Sequence, residues 1–336
     1  LEEADRDNCR HAHQLIEEAG RLIQPDFIQF AGDNVQHARE VEFALFKEIT
    51  DKVTVPWYAL VGDHDAHHDG ACHAFRRHLG ATHQAFSLKG WRFILLNTME
   101  FRPLGMTAAQ VLWFRFEVDS ALERGEKVVV FQHHYPFKVC ESFAGPGVAE
   151  WREIVQTRPV TAIFSGHTHY GQVANDGKNL YVATRSVGEP EGGPAGGAVV
   201  YLDGDDLALT YRSVEDKGPL VLITHPRQVI LCTGGSHIVS GPDEVRARIW
   251  SEKPLSSVEF RIGNGPWLAM EPDGVQQFRG PIPGDALEKG EHQLEVRAMD
   301  AEGWSGAQSI TFHVDRSARF TAVPRVFPAV QLTRFC

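Results

Sequence analysis

The sequence predicts an α/β domain followed by an all-β domain, on three observations. The first half alternates helix-period and strand-like apolar runs. Four of its apolar runs each end in a short polar block carrying Asp or His. Beyond Lys217-Gly218-Pro219 no helical pattern recurs, and short segments alternate with period two instead.

Size and composition are compatible with two domains. The chain has 336 residues, 43% hydrophobic and 23% charged, ordinary values for a globular protein. No apolar run reaches the length needed to cross a bilayer, so no membrane contact is expected. The net charge of −11 argues against a nucleic-acid duplex as partner, because phosphate backbones select basic surfaces. It leaves room for a small anionic substrate, since bound cations reverse the local field. The 5 cysteines are scattered with no C-x-x-C, which suggests reduced thiols and a cytoplasmic setting. The acidic start, Leu1-Glu2-Glu3-Ala4-Asp5, is unlike a signal peptide, although the chain begins without Met and a leader stays open.

The elements follow in order. Residues 9–23 predict a helix with Leu15, Ile16, Ala19, Leu22 and Ile23 on one face, closed by Pro25-Asp26. A strand runs to Ala31, and a helix over 38–50 uses Val41, Ala44, Leu45 and Ile49. Strand 57–61 precedes a His-rich loop. Lys89-Gly90 marks a hairpin between Gln84–Leu88 and Trp91–Asn97. Thr107-Ala108-Ala109-Gln110 has the pattern of a capping box and opens a helix through Leu112, Phe116 and Leu122. Strand 127–132, a helix near 148–157 and strand 160–165 follow, and Tyr170–Ser213 turns all-β. In the last third, Val245–Trp250, Ser257–Ile262, Gln293–Ala298 and Ser309–Val314 read as strands of a β-sandwich, with a turn at Asp300–Gly303. The expected partition is 1–217, 218–316 and a poorly ordered tail, 317–336.

The polar blocks carry the chemistry. They are Gly32-Asp33-Asn34, Gly62-Asp63-His64-Asp65, His133-His134-Tyr135-Pro136 and Gly166-His167-Thr168-His169. The runs before them are Phe27-Ile28-Gln29-Phe30, Trp57–Val61, Val128–Phe131 and Ala162-Ile163-Phe164. Strands that end this way deliver ligands to one rim of a sheet. An Asp at a strand end can bridge two cations, and Asp33 is the candidate bridge. Imidazole and carboxylate donors suit Zn, Fe and Mn. Taken singly, Asp33 reads as a turn residue and His167/His169 as a polar hairpin; four blocks in order make the ligand reading the stronger one.

These blocks resemble those of the calcineurin-like metallophosphoesterases, whose pattern is D-x-H, G-D, G-N-H-D/E, a His ahead of a Pro, and G-H-x-H. The similarity covers roughly residues 9–213. Phe86-Ser87-Leu88, Trp91–Thr98 and the Gln110/Leu112/Trp113 helix resemble the branch containing class III cyclic-nucleotide and glycerophosphodiester phosphodiesterases. Purple acid phosphatases share the blocks but carry a Tyr soon after the Gly-Asp, where this chain has Val35-Gln36-His37. The resemblance implies a sandwich of two mixed sheets flanked by helices, and the second domain is expected to be immunoglobulin- or fibronectin-like. It implies two metal ions (Fe, Mn or Zn) and hydrolysis of small phosphodiesters or phosphomonoesters through a metal-bound hydroxide. Matched residue by residue, Asp33 bridges the ions, and Asp63, His167 and His134 hold one of them, with His133 as fallback for His134. His169 holds the other ion, and His64 is the catalytic His. Asp65 matches an acidic position that would orient His64.

Two departures accompany the match. Asp63 stands where the family has Asn, and no strand ending in D-x-H precedes Gly32. Asp7, His11 and His13 lie in or beside a helix, the wrong setting, so the original N-terminal strand is expected to be absent from this chain. The alternative function is therefore a metal- or ligand-binding module that has lost half of a two-metal site. An oligomer contact through the second domain is a further expectation. His67 and His68 stay open as pocket residues.

Overall fold

β-Branched and aromatic runs that begin at a polar turn and end at Gly, Asp or His form the strands of the first unit, and their parallel pairing decides where their ends collect. In the computed structural model, residues 6–67, 72–101, 104–136, 143–282 and 287–327 are described. The chain divides into two compact units: residues 1–174, 178–196 and 326–336, and residues 175–177 and 197–325.

The first unit opens with helix α1 (Asp7–Glu18), continued by one π-helical segment, Ala19–Ile23. Then come β1 (Ile28–Phe30), α2 (Glu40–Thr50), β2 (Trp57–Ala59), α3 (His73–His78), β3 (Gln84–Leu88) and β4 (Trp91–Leu96). They are followed by α4 (Ala108–Glu123), β5 (Lys127–Gln132), α5 (Val148–Thr157), β6 (Val160–Ser165), β7 (Gln172–Asn175) and β8 (Leu180–Ala183). β1 and β2 pair in parallel, with Phe30 opposite Ala59. With β19 (Arg325–Phe327), a 7-stranded sheet runs in the order β19-β7-β8-β6-β5-β4-β3. Its central pairs, β4 with β5, β5 with β6 and β6 with β8, are parallel, and only the expected hairpin, β3 with β4, is antiparallel among the pairings resolved residue by residue. Lys89 and Gly90 at that turn both have positive φ, as a two-residue hairpin loop requires.

An aromatic layer joins the two sheets. Tyr58 stacks on Phe86 at 4.0 Å between ring centroids, and Phe27 stands edge-on to Phe93 at 4.9 Å. Each such pair contributes about 0.5–1.5 kcal/mol beyond its buried area. On the other face of the small sheet, Phe30 meets Phe46 of α2 and Trp57.

Two helices are rotated from the expected faces. In α2, Val41 is 66% exposed, and the buried set is Glu42, Phe43, Phe46, Ile49 and Thr50. In α4, Leu112 and Phe116 are exposed, and Gln110, Val111, Phe114, Val118 and Ala121 are buried. Each helix carries two apolar stripes, and the one completed by a hydrogen-bonded polar residue faces the core. Gln110 accepts from the Asn97 N–H and donates to its carbonyl.

The second unit is antiparallel β. β9 (Gly196–Asp203) pairs with β10 (Asp206–Ser213). One four-stranded sheet has the order β11 (Leu220–His225), β12 (Asp243–Trp250), β16 (Gln277–Ile282), β15 (Glu271–Pro272). The other has the order β14 (Leu268–Ala269), β13 (Leu255–Ile262), β17 (Gly290–Asp300), β18 (Ser305–Val314). Val245, Ala247 and Ile249 from the first share one core with Phe260, Leu294, Val296 and Phe312 from the second. The alternating segments of the sequence are thus the strands they were expected to be. The division between the units differs from the expected 217/218: it falls between Gly196 and Gly197. β10 packs with β11, and Gln308 bonds both the Leu209 carbonyl and the Ile223 N–H. Nor is the tail featureless, because Arg325–Phe327 forms an edge strand; residues 328–336 lie outside the described residues.

Candidate metal centre

Four strands place the polar blocks. β1 and β2 are parallel neighbours, so Asp33 and Asp63 leave the same edge of the small sheet. β5 and β6 are parallel neighbours in the large sheet, so His133, His134 and His167 leave one edge there. Ligand sites in open α/β sheets form at such carboxyl ends. Two glycines permit the close approach. A Cβ on Gly32, whose φ is +94°, would run into the His133 ring, and one on Gly62 would run into the Asp33 carboxylate.

The side chains converge. Asp63, His133, His134 and His167 each offer a donor atom, all within 4.8 Å of one another. His133 Nε2 lies 3.1 Å from Asp63 Oδ1 and 3.3 Å from Asp33 Oδ2. His167 Nδ1 is 3.1 Å from Asp63 Oδ1, and His134 Nε2 is 3.8 Å from it. A second group, Asp33, Asp63 and His64, adjoins the first and shares Asp63. The paired histidines were expected to divide into one ligand and one bystander; both turn inward, and His133 alone approaches both carboxylates. His169 belongs to neither group among the described residues.

Hydrogen bonds fix the rings. His133 Nδ1 is 2.7 Å from the Ala31 carbonyl, which can only accept, so Nδ1 carries a proton and Nε2 is the nitrogen turned to the cluster. His64 Nδ1 is likewise held, 2.8 Å from the Gln36 carbonyl, and the His64 N–H donates to Asp33 Oδ1 at 3.0 Å. His134 Nδ1 lies 2.6 Å from Thr98 Oγ1, while its buried Nε2 has no hydrogen-bond partner among the described residues.

Electrostatics tie the groups together. Burial pushes the Asp33 carboxyl up, but the His133 imidazole beside it more than offsets this and leaves it below its usual value. Burial acts the same way on Asp63, and hydrogen bonds from His133 and His167 outweigh it, lowering the pKa. Burial disfavours the charged form of His133, yet Asp33 and Asp63 raise its pKa well above the usual range. His134 goes the other way: burial, then the neighbouring His133 and His167, depress it, so its ring is neutral. A buried neutral imidazole with an unpartnered nitrogen, aimed among carboxylates and two more imidazoles, fits a divalent cation.

Asp65 departs from expectation. Its buried carboxylate accepts from Asn34 Nδ2 at 2.9 Å, Gly62 N at 2.9 Å and Val35 N at 3.2 Å, and does not reach the His64 ring. Burial, reinforced by the charge on Asp33, pushes it up to about 7. The ring is oriented instead by the Gln36 carbonyl, which sequence reasoning missed because a backbone atom leaves no residue signature. Thr98 was also missed, but it had a signal. Leu96 pairs with Gln132 across β4 and β5, so Thr98 sits two residues past the same register point as His134. His11, a helical residue of the N-terminal region, bonds the Val187 carbonyl through Nδ1. His67 stands 6.4 Å from His64, ring to ring, and His68 lies outside the described residues.

Residues 6–171 match the family model of the calcineurin-like phosphoesterases. No curated protein matches the chain. Among solved structures, a dimetal phosphatase from Danio rerio is similar, with a TM-score of 0.53 and 12% identity over 61% of this chain and 86% of that one. GAP50, the anchor in the inner membrane complex of Plasmodium, gives 0.48 and 11%, covering 64% of this chain and 83% of its own. The phosphoesterase YfcE from E. coli gives 0.31 and 14%, covering 66% and 88%. At such identities the likeness to the Danio rerio protein speaks for the fold. Residues 6–171 of this chain form a calcineurin-like metallophosphoesterase domain.

Proposed function

We propose that the chain is a metal-dependent phosphoesterase acting on small phosphodiesters, such as cyclic nucleotides or glycerophosphodiesters, or on phosphomonoesters. The observation that supports this most is the convergence of Asp63, His133, His134 and His167 on one point, with Asp33 and His64 at its edge. Those four donors would hold one ion and Asp33 would face a second. His169, which the resemblance gives to that second ion, stands outside both groups, so the reading rests on the first set. When bound, such ions stabilise charge on a phosphoryl group and acidify water. The protein's own part is positional. Asp33 and Asp63 fix the polar floor, and His64, its Nδ1 proton held by Gln36, turns Nε2 to within 4.0 Å of Asp63 Oδ2. Protonated at Nε2 as well, it can neutralise phosphate charge and pass that Nε2 proton to the departing oxygen. We read the second unit as an immunoglobulin- or fibronectin-like sandwich that serves as spacer or oligomer contact.

A second reading is a metal-binding module with little turnover, favoured by the single four-donor set and by His169 lying outside it. One assay separates the two. Hydrolysis of diphenyl phosphate, whose leaving oxygen needs the proton, with added Mn or Zn is expected to fall about 100-fold in His64→Ala. Equal rates for parent and variant would remove the phosphoesterase mechanism, and one ion per chain with no turnover would establish the module.

A further inference from the structure

The turn that holds His64 is itself held from both ends. At residues 34 and 35, the Asp65 carboxylate takes the Asn34 side-chain amide and the Val35 N–H. At residues 37 to 39, the carboxylate of Glu42 does the same work. Glu42 is fully buried, yet neither ligand set among the described residues includes it. Its Oε2 accepts the His37 N–H at 2.9 Å and the Arg39 N–H at 3.1 Å, and its Oε1 accepts Arg39 Nε at 2.8 Å and lies 3.2 Å from His37 Nδ1. Between those anchors the chain passes through Ala38 at φ +54°, a left-handed conformation costly for a residue with a Cβ. The carbonyl this turn exposes is that of Gln36, 2.8 Å from His64 Nδ1.

We infer that Glu42 is a positioning residue for His64, acting through the backbone of the 36–39 turn. In a capping box the N3 carboxylate accepts one backbone N–H, that of the N-cap residue, here Arg39. Glu42 satisfies two backbone N–H groups and grips two side chains, more than a cap needs, and the atom it immobilises is the one that sets the His64 tautomer. Without the carboxylate, His37 and Arg39 lose their common acceptor, the left-handed residue between them relaxes, and the Gln36 carbonyl swings off the ring. His64 then samples both tautomers, and Nε2, beside Asp63, is no longer the fixed nitrogen at which the ring takes up and gives up its proton. The inference rests on the reading of His64 as the proton donor.

The test has two arms. Imidazole nitrogen NMR of the full chain, recorded without substrate or added metal, is expected to show one His64 tautomer protonated at Nδ1. Glu42→Gln, which keeps the volume, and Glu42→Ala are each expected to show a mixture. In turnover, Glu42→Gln is expected to lower kcat about tenfold on diphenyl phosphate with KM within about twofold. The fall on bis(p-nitrophenyl) phosphate is expected to be smaller, because its leaving group departs without the proton. An unchanged His64 tautomer in the Gln variant overturns the proposal, as does an equal fall on both esters. If Glu42→Ala does not fold, the Gln variant decides. If the parent hydrolyses neither ester, the functional reading fails while the tautomer measurement still decides this one.

Discussion

Among the described residues each unit holds a knot of histidine and aspartate, and the two knots are built to opposite ends. In the second unit a single imidazole is shared by two carboxylates: His225 Nε2 is 2.9 Å from Asp243 Oδ2, and Nδ1 is 3.7 Å from Asp206 Oδ1. Arg246 also faces Asp206, at 3.5 Å. One imidazolium and one guanidinium balance two carboxylates, and the His225 nitrogen that makes no hydrogen bond, Nδ1, faces the Asp206 carboxylate and no second imidazole. In the first unit the ratio is inverted. Three imidazoles surround Asp63, and one of them, His134, has a buried Nε2 with no hydrogen-bond partner among the described residues. Surplus lone pairs directed at one point are what a cation needs, and charge balance without surplus is what a structural ion cluster needs. Residue types alone do not distinguish the two cases; donor count and convergence do.

The largest expected effect breaks the first knot and leaves the second intact. His133→Ala removes the ring that approaches both Asp33 and Asp63. Its affinity for Zn, measured by competition with a chromophoric chelator, is expected to drop at least about 100-fold. His225→Ala is expected to leave Zn affinity unchanged. Loss of Zn binding in both variants would mean that the contrast between the knots is not one of ligand capacity.

The second effect falls on pH. Burial opposes charge on His225, but Asp206 and Asp243 prevail and push it up to about 9 from its ordinary 6.5. The stabilisation is therefore fully present below pH 6.5 and is lost as pH rises through 9. At about 1.4 kcal/mol per pH unit, the difference amounts to roughly 3 kcal/mol at most, spread over that window. Calorimetric unfolding of the full chain at pH 6 and pH 9.5 is expected to show a transition that weakens with pH in the parent and far less in His225→Gln. The same pH dependence in both would take the His225 cluster out of the stability of this unit.

Much of the fold and most of the site could be read in the sequence, and the parts that could not have definable causes. Strands such as Val128–Phe131 announce themselves because they are apolar on both faces and stop at a polar block, as parallel strands covered on both sides do. The choice between His133 and His134 was not legible. Past the last strand pairing the chain leaves the two-residue alternation, and both rings can then face one way. The tie between Glu42 and His64 was hidden for another reason. It runs through main-chain atoms of Gln36, and only the Arg39-to-Glu42 spacing at a helix start gave any hint of it. Lys217-Gly218-Pro219 has the composition of a linker, yet β10, before it, packs with β11, after it. Composition reports local flexibility of the chain, not which strand its neighbours choose.

The smallest expected effect sharpens the comparison where sequence patterning was misled. α4 has two candidate apolar stripes: Leu112 with Phe116, and Val111 with Phe114 and Val118. Hydrophobicity does not choose between them. The buried Gln110 does, because its amide reaches Asn97 at 2.7 and 2.9 Å and Glu100 at 2.7 Å, and a helix can satisfy those bonds only with that side turned inward. Leu112 and Phe116, 66% and 65% exposed, are then surface residues. Leu112→Lys together with Phe116→Lys is expected to change stability by no more than about 0.5 kcal/mol per site in urea unfolding. Phe114→Ala, at a fully buried ring, is expected to cost about 3–5 kcal/mol. A large loss in the double Lys variant would show that the exposed stripe is covered in solution by another surface. A small loss places the decision in one buried amide, the residue a hydrophobic pattern cannot count.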